Sequence, residues 1–520
     1  MASILNRKVT WSGAYQSRAI PILDWLAERR LLLYLAGLAG LNLLIYAYAI
    51  LPTASLLRLY DTPHLNLYTL PEGGAAGRGR LILAFLALGL VYWQAWRISR
   101  KLQGKAAWAI VLGGCLASGL LLLFMYPYGA TDIFDNILRG RILGVYGENP
   151  FLKLPVSFSN DPFYGYITWK RSPSAYGPGW EVLAGLVARQ SGPGVIANVL
   201  AFKLLPGAFM AASLCLAALI LQKKAPQYAL AGTLLLAWNP VVLYETWGNG
   251  HNDMVMVFWM LAAVLALLYS RYTLAVLALV AGALVKFIPA LLIPLTIALA
   301  LRNLRSHRAR ASFLLRTSLL AFLLGVVAYS PFWDGVRVLN IASRTRLYSS
   351  SLPASIYYLL QDWHWTGNQA AAIVSSAAIV FTVFFAFLKS RKVWKRPAIE
   401  NYLDAATQVL LFYLLVTCLW FQNWYVLWVV GLAAPLKPGA TRRLALLFCF
   451  AALSKPLGIG PELFWPKPQL DQPGLEIWFT LGIFALPWSY WLLSSIHAVS
   501  WRPIKIQSVL SRNWRRSHEY

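Results

Sequence analysis

The chain has 520 residues, 59% of them hydrophobic and only 12% charged, with a mean hydropathy of +0.57. An ordinary soluble domain carries about 25% charged residues, so this surface is not built to face water on all sides. The net charge of +27, from 46 Lys and Arg against 19 Asp and Glu, lies in short loops between apolar runs. That is a topogenic pattern rather than a nucleic-acid footprint, so no nucleic-acid partner is expected.

A helix that spans a bilayer needs about 20 apolar residues. Such runs are predicted near 31–51, 81–97, 106–126, 195–222, 227–246, 252–270, 312–332, 368–389, 403–420, 424–437, 441–455 and 476–496. The stretch 272–301 carries Lys286 near its middle, then Pro289 and Pro294. It reads as two shorter helices that enter and return to one side, because Pro breaks the hydrogen-bond ladder. The segment 178–190 is short and reads as re-entrant or interfacial. The fold class is therefore all-α, a polytopic transmembrane bundle of about 12–14 membrane helices. One integral membrane domain covers 1–520. No secretory signal is expected at the N-terminus. Cys115, Cys215, Cys418 and Cys449 sit inside apolar runs and read as small buried hydrophobes, with neither metal spacing nor a disulfide framework.

Positive charge sets the orientation. With the N-terminus in the cytoplasm, the inner loops hold Arg97/Arg100/Lys101/Lys105, Lys223/Lys224, Arg302/Arg305/Arg308/Arg310, Lys389/Arg391/Lys392/Lys395/Arg396 and Arg442/Arg443. The basic tail 497–520 is then also cytoplasmic, and most acidic residues lie outside. The longest outer segment, 127–194, is rich in Pro, Gly and aromatics and reads as an ordered extracytoplasmic surface.

Polar clusters punctuate the outer side. Tyr126-Pro127-Tyr128-Gly129-Ala130-Thr131-Asp132-Ile133-Phe134-Asp135-Asn136 places two carboxylates one helical turn apart. Either could act as a general base beside a low-dielectric boundary, or Asp132 could simply cap the helix that follows. Arg139-Gly140-Arg141 follows, then Gly147-Glu148-Asn149-Pro150 and Ser174-Ala175-Tyr176-Gly177-Pro178-Gly179-Trp180. Arg139 and Arg141 could grip a phosphate in bidentate fashion, or pair with Asp132 or Asp135 and only hold the loop.

Next, Trp238-Asn239-Pro240 precedes Tyr244-Glu245-Thr246-Trp247-Gly248-Asn249-Gly250-His251-Asn252-Asp253. Ionisable groups at such a depth are functional candidates. A metal would need at least three placed ligands, and none is expected here. Lys286 needs a counter-charge or water, and either an anionic headgroup or snorkelling would satisfy it. Arg337, Arg344 and Arg346 in the next outer loop are further phosphate candidates, or a solvated basic loop. Trp420-Phe421-Gln422-Asn423-Trp424-Tyr425-Val426-Leu427-Trp428 is a tight aromatic turn, suited to sugar faces or to an interfacial belt.

The order "GR…G.NP", "YGP", "NP…GNGHND", "K..P" and "WYVLW" from about 126 to 430 resembles the GT-C superfamily of membrane glycosyltransferases. Within it, the chain is similar to the polyprenol-phosphate-mannose-dependent α-1,6-mannosyltransferases of bacterial envelope synthesis. The resemblance implies a GT-C-like bundle in the bacterial plasma membrane with an extracytoplasmic active site. It implies inverting transfer of a hexose, mannose in that family, from a polyprenyl-phosphate sugar to a glycan or glycolipid acceptor, with no cofactor. Asp132 falls on the family's loop aspartate, the general base, with Asp135 as the second acidic candidate. His251, Asn252 and Asp253 fall on the sugar-pocket "HND", and Lys286 on the phosphate lysine. Substrate contacts are also expected from Arg139, Arg141, Tyr176, Glu245, Arg344, Arg346, Trp424 and Tyr425. Thr131 stands where relatives tend to carry Arg. The rival readings are a transporter or flippase of lipid-linked sugars, which would often show internal repeats with matched broken helices, and a non-catalytic assembly subunit.

Overall fold

The computed structural model describes residues 20–67, 69–72, 74–339, 347–458 and 472–500, with side chains described from Trp25 to Ile496 within those limits except at Leu339 and Gln472. The cytoplasmic tail expected over 497–520 therefore lies almost wholly outside the described residues, as do Arg344 and Arg346. Among the described residues there is no strand. In chain order the helices are α1 (Ile20–Ile45), α2 (Leu56–Leu59), α3 (Ala75–Ser99), α4 (Lys105–Leu122), α5 (Asp132–Gly144) and α6 (Pro178–Ser191). Then come α7 (Val195–Lys224), α8 (Ala229–Ala237), α9 (Pro240–Leu243), α10 (Asp253–Leu268), α11 (Tyr272–Ala283), α12 (Ile293–Asn303) and α13 (His307–Tyr329). The last are α14 (Leu352–Asp362), α15 (Gly367–Lys395), α16 (Ile399–Phe412), α17 (Val426–Ala433), α18 (Ala440–Ala451) and α19 (Gln472–Ser500).

Seven helical segments are long and apolar enough to cross a bilayer: Trp25–Ile50, Ala75–Ser99, Lys105–Leu122, Val195–Lys224, His307–Phe332, Gly367–Lys395 and Pro473–Ile496. They form the periphery, and their outward faces are Leu-, Val- and Phe-rich and exposed. Lipid accounts for that exposure, since a hydrocarbon-facing helix needs no polar face. Cys215 on α7 belongs to this outward surface: it is exposed, whereas Cys115, Cys418 and Cys449 are buried as expected.

The interior is built from shorter helices. Every residue of α8 and of α17 is buried, as befits helices that are apolar all round. Five of the expected spans (227–246, 252–270, 403–420, 424–437 and 441–455) are thus met by shorter helices, some of them interrupted. The run 227–246 breaks at Asn239-Pro240, where Asn239 Oδ1 accepts from the amides of Val241 (3.0 Å) and Val242 (3.3 Å) and restarts the chain as α9. A wider turn, Tyr244–Gly248, follows, and another ends α16 at Tyr413–Thr417. One-turn widenings of this kind displace side chains from the regular helical faces. The stretch 272–301 behaves as expected. α11 and α12 meet at an apex around 284–292, and the N-terminus of α10 lies against that apex.

The segment 178–190 is α6, which crosses α5 closely. A Cβ on Gly144 would lie 2.1 Å from the carbonyl oxygen of Gly185, so the two backbones approach as only glycine permits. Segments 54–56 and 124–126 are tied by Leu56 N–H to Phe124 O and Tyr126 N–H to Ala54 O, both 2.7 Å. These clamps set the approach of the chain to α5.

Candidate functional site

The polar residues converge where helices begin or break. Entry to α5 is anchored first. Lys203, fully buried on α7, donates to the carbonyls of Leu123 (3.1 Å) and Met125 at the end of α4. Thr131, not Asp132, is the residue that precedes the helix, and its hydroxyl faces that of Thr168 at 2.8 Å. Asp132 is the first helical residue, so it is not a side-chain cap. Among the described residues its carboxylate has no hydrogen-bond or ion-pair partner, and it is only partly buried. Desolvation raises its proton affinity. The charge of His251 opposes this, Asp135 and Asp253 add to it, and Lys286 opposes it; the net shift is upward.

Asp135 points elsewhere. Its carboxylate takes Arg139 at 3.0 Å and the amides of Thr168 (3.3 Å) and Trp169 (3.2 Å). Arg139 also donates to the carbonyls of Trp169 (3.3 Å) and Ser172 (3.0 Å). Arg141 binds Asp161 at 2.7 Å and the Gly192 carbonyl at 3.0 Å. Both arginines are buried and hold the loop to α5; Arg139 does so through Asp135, one of the two expected carboxylates, whereas Arg141 takes Asp161 instead. The structure does not bring Arg141 to the polar centre.

The break between α11 and α12 is docked by the turn that opens α6. Gly177 N–H donates to Val285 O (3.0 Å) and Gly179 N–H to Leu284 O (2.8 Å). A Cβ on Gly177 would sit 2.1 Å from the Leu284 carbonyl oxygen. This contact holds Tyr176 under the ammonium of Lys286, 5.2 Å from the ring centre, and Tyr425 lies 5.7 Å away on another side. Lys286 Nζ is 2.7 Å from Asp253 Oδ1, the same oxygen that accepts from Trp428 Nε1 at 2.6 Å. The counter-charge that a buried lysine requires is therefore a carboxylate of the protein, and an aromatic wall surrounds the pair. Burial, with Asp132 and Asp253 nearby, pushes the Tyr176 hydroxyl well above its usual range.

The turn 249–252 completes the centre. Glu245 is fully buried; Asn249 donates to its Oε2 at 2.9 Å and Asn423 donates to its Oε1. His251 stacks on Trp424, with ring centres 3.8 Å apart. Its Nε2 lies 3.3 Å from Glu245 Oε2 but is not aligned as a hydrogen bond. Asn249 Oδ1 also accepts from Gly129 N–H at 3.1 Å, which ties this turn to the approach of α5. Three polar groups here are buried with unmet capacity: both ends of the Asn252 amide, His251 Nε2 and Asp253 Oδ2. Buried polar atoms left unsatisfied are costly unless a ligand or solvent completes them.

Asp132, Tyr176, Glu245, His251, Asn252, Asp253, Lys286, Trp424 and Tyr425 are thus brought to one region. Asn249, Asn423 and Trp428 belong to it as well, although they were not singled out. Asn249 and Asn423 sit inside the quoted motifs, but their partners are 120 and 178 residues away. Among the described residues, no three His, Cys, Asp or Glu side chains converge as a metal-ligand set. Chemically, the centre offers an uncommitted carboxylate, a cation framed by aromatic rings, and unpaired donors and acceptors. That set suits a polyhydroxylated ligand that carries an anionic group.

A helical bundle with seven bilayer-length apolar helices and a polar centre built at helix breaks defines an integral membrane protein. Residues 32–302 match the family described as "Alpha-(1->6)-mannopyranosyltransferase, N-terminal domain", and the chain belongs to that family. Over 235 residues it is 26% identical to alpha-(1->6)-mannopyranosyltransferase A of Mycobacterium tuberculosis (strain ATCC 25618 / H37Rv). That match spans 45% of this chain and 43% of the mycobacterial protein, less than half of either. No solved structure matches the chain.

Proposed function

We propose that the protein is an inverting mannosyltransferase. It moves mannose from a polyprenyl-phosphate donor to a glycan or glycolipid acceptor at the extracytoplasmic face of a bacterial plasma membrane. The observation that carries this reading is the Asp132 carboxylate, unpartnered and with raised proton affinity, beside the Lys286–Asp253 pair. Family membership and the mycobacterial relative's name supply the sugar.

In this reaction the acceptor hydroxyl gives its proton to Asp132 as its oxygen attacks the anomeric carbon. The bond from that carbon to the phosphate oxygen breaks, and its electron pair leaves with the polyprenyl phosphate on the opposite face. The configuration inverts without a covalent intermediate. Lys286 stabilises the charge that grows on the leaving phosphate. A phosphate that binds Lys286 competes with Asp253 for the ammonium. Asp253 Oδ2, Asn252 and His251 Nε2 offer bonds to sugar hydroxyls, and Trp424 and Tyr425 form an apolar wall for the ring. Asp135 serves as a loop anchor, because Arg139, the amides of Thr168 and Trp169 and the Thr131 hydroxyl already occupy it.

The test is transfer by purified protein in detergent, with radiolabelled polyprenyl-phosphate mannose, a short α-mannoside and Asp132→Asn beside wild type. The expected result is product from wild type and a loss of at least about 10²-fold in the variant. Equal rates would reject Asp132 as the base. Release of transported lipid-linked sugar from proteoliposomes with no glycosidic product would favour a transporter.

A further inference from the structure

From Met254 to Trp333 the sequence contains no Asp or Glu, yet it holds Arg271, Arg302, Arg305, Arg308, Arg310 and Arg316 as well as Lys286. Lys286 is paired with Asp253; among the described residues none of the six arginines has a carboxylate partner. Arg316 is the notable case. It is the tenth residue of α13, about 13 Å along the helix axis, on a helix of which only Phe313 and Thr317 are buried. Its guanidinium donates to Thr273 Oγ1 at 3.0 Å, and Thr273 in turn meets Thr317 at 3.0 Å. A guanidinium has five N–H donors, so among the described residues this single bond leaves most of them without a protein acceptor.

Arg316 and Arg271 flank a cavity of about 710 Å³ between the start of α11 and α13, whose walls include Leu277, Phe313 and Leu320. A second cavity of about 610 Å³ shares Arg271, Leu274 and Leu277 and continues along α10 and α11, past Trp259 and Ala281, to Leu324 on α13. The groove exists because α13 leans on α11 through Phe313, which packs with Val276 and Ala300, while its farther turns stand away. The two cavities adjoin along the shared Arg271, Leu274 and Leu277, so the two cations stand at one end and mostly apolar walls lie beyond.

We propose that this groove binds an anionic phospholipid of the leaflet opposite the polar centre. Its phosphate sits between Arg271 and Arg316 in charge-assisted hydrogen bonds, and an acyl chain lies along α11. The site is distinct from the polar centre, since α11 runs its 12 residues, about 18 Å, between the arginine end and the apex that carries Lys286. The bound lipid fixes α13 to the α11–α12 hairpin, so it supports the helix pair that presents Lys286.

The test is native mass spectrometry of the full chain released from detergent after exposure to phosphatidylglycerol, phosphatidylcholine, polyprenyl phosphate or inorganic phosphate. Wild type should retain phosphatidylglycerol above phosphatidylcholine, and salt should weaken that preference. Arg271→Gln and Arg316→Gln should each lower retention about fivefold. Equal retention of the two phospholipids by wild type overturns the proposal whether or not the variants fold. So does unchanged phosphatidylglycerol retention in folded variants. Preferential retention of polyprenyl phosphate at these arginines overturns the phospholipid assignment. Retention of inorganic phosphate as strong as that of the lipid overturns the role of the apolar groove.

Discussion

Asp132 and Asp135 are chemically identical residues one helical turn apart, and their surroundings differ sharply. Asp135 accepts from Arg139 and from the amides of Thr168 and Trp169, which fixes its carboxylate to the loop. Asp132 has no such partners, and desolvation favours its protonated form. The sign for activity follows. A base whose affinity for protons is raised in the folded enzyme works only when deprotonated. Activity should therefore be present above its raised value and be lost as pH falls through it. The acid limb of a kcat/KM profile should lie above the ordinary carboxylate range, at about 4, and a limb within that range would sink the assignment. The spacing in the sequence showed that both carboxylates could share a face; it did not show which one the loop would occupy. That choice is made by Thr168 and Trp169, more than 30 residues downstream, whose backbone amides no side-chain pattern reveals.

At the scale of elements, the site depends on how the α6 turn seats on the α11–α12 apex. The amides of Gly177 and Gly179 bind the carbonyls of Val285 and Leu284, and no Cβ fits between them at Gly177. Gly177→Ala should destabilise the protein by about 1–3 kcal/mol through overpacking against backbone. It should also lower transfer by moving Tyr176 and Lys286 apart. Thermal unfolding together with the transfer assay checks this, and a variant with wild-type melting and wild-type rate would show that the contact is dispensable. The "YGP" and "K..P" motifs were both legible in the sequence, as was the return of 272–301 to one side. Their contact was not, because a turn and a helix break more than 100 residues apart carry no mutual periodicity. Helix interruption was legible only where Pro announced it. The wide turn at 413–417 contains neither Pro nor Gly, so nothing in its local sequence announces it.

For the whole molecule, the peripheral helices set the membrane frame and the short interior helices set the site. The loop that holds Glu148 and the helix end that holds Lys392 lie at opposite ends of the spans: Glu148 follows α5, whereas Lys392 pairs with Asp404 near the start of α16. If the basic ends face the cytoplasm, Glu148→Cys in spheroplasts should react with a membrane-impermeant maleimide, and Lys392→Cys should react only after permeabilisation. The reverse pattern would invert the protein and place the proposed chemistry on the cytoplasmic side.

Composition and apolar run length determined the class of this protein, because a chain with 12% charged residues and repeated apolar runs can satisfy its backbone only as helices in lipid. The sequence also exposed most residues of the polar centre, since ionisable groups beside apolar runs are conspicuous. Only the tertiary structure decided what each one contacts. It gave Lys286 to Asp253, bound Arg139 and Arg141 to the loop, closed Glu245 with Asn249 and Asn423, and left Asp132 without a partner among the described residues. Those outcomes depend on distances between residues far apart in the chain, and in a helical bundle such distances are set by packing rather than by local pattern.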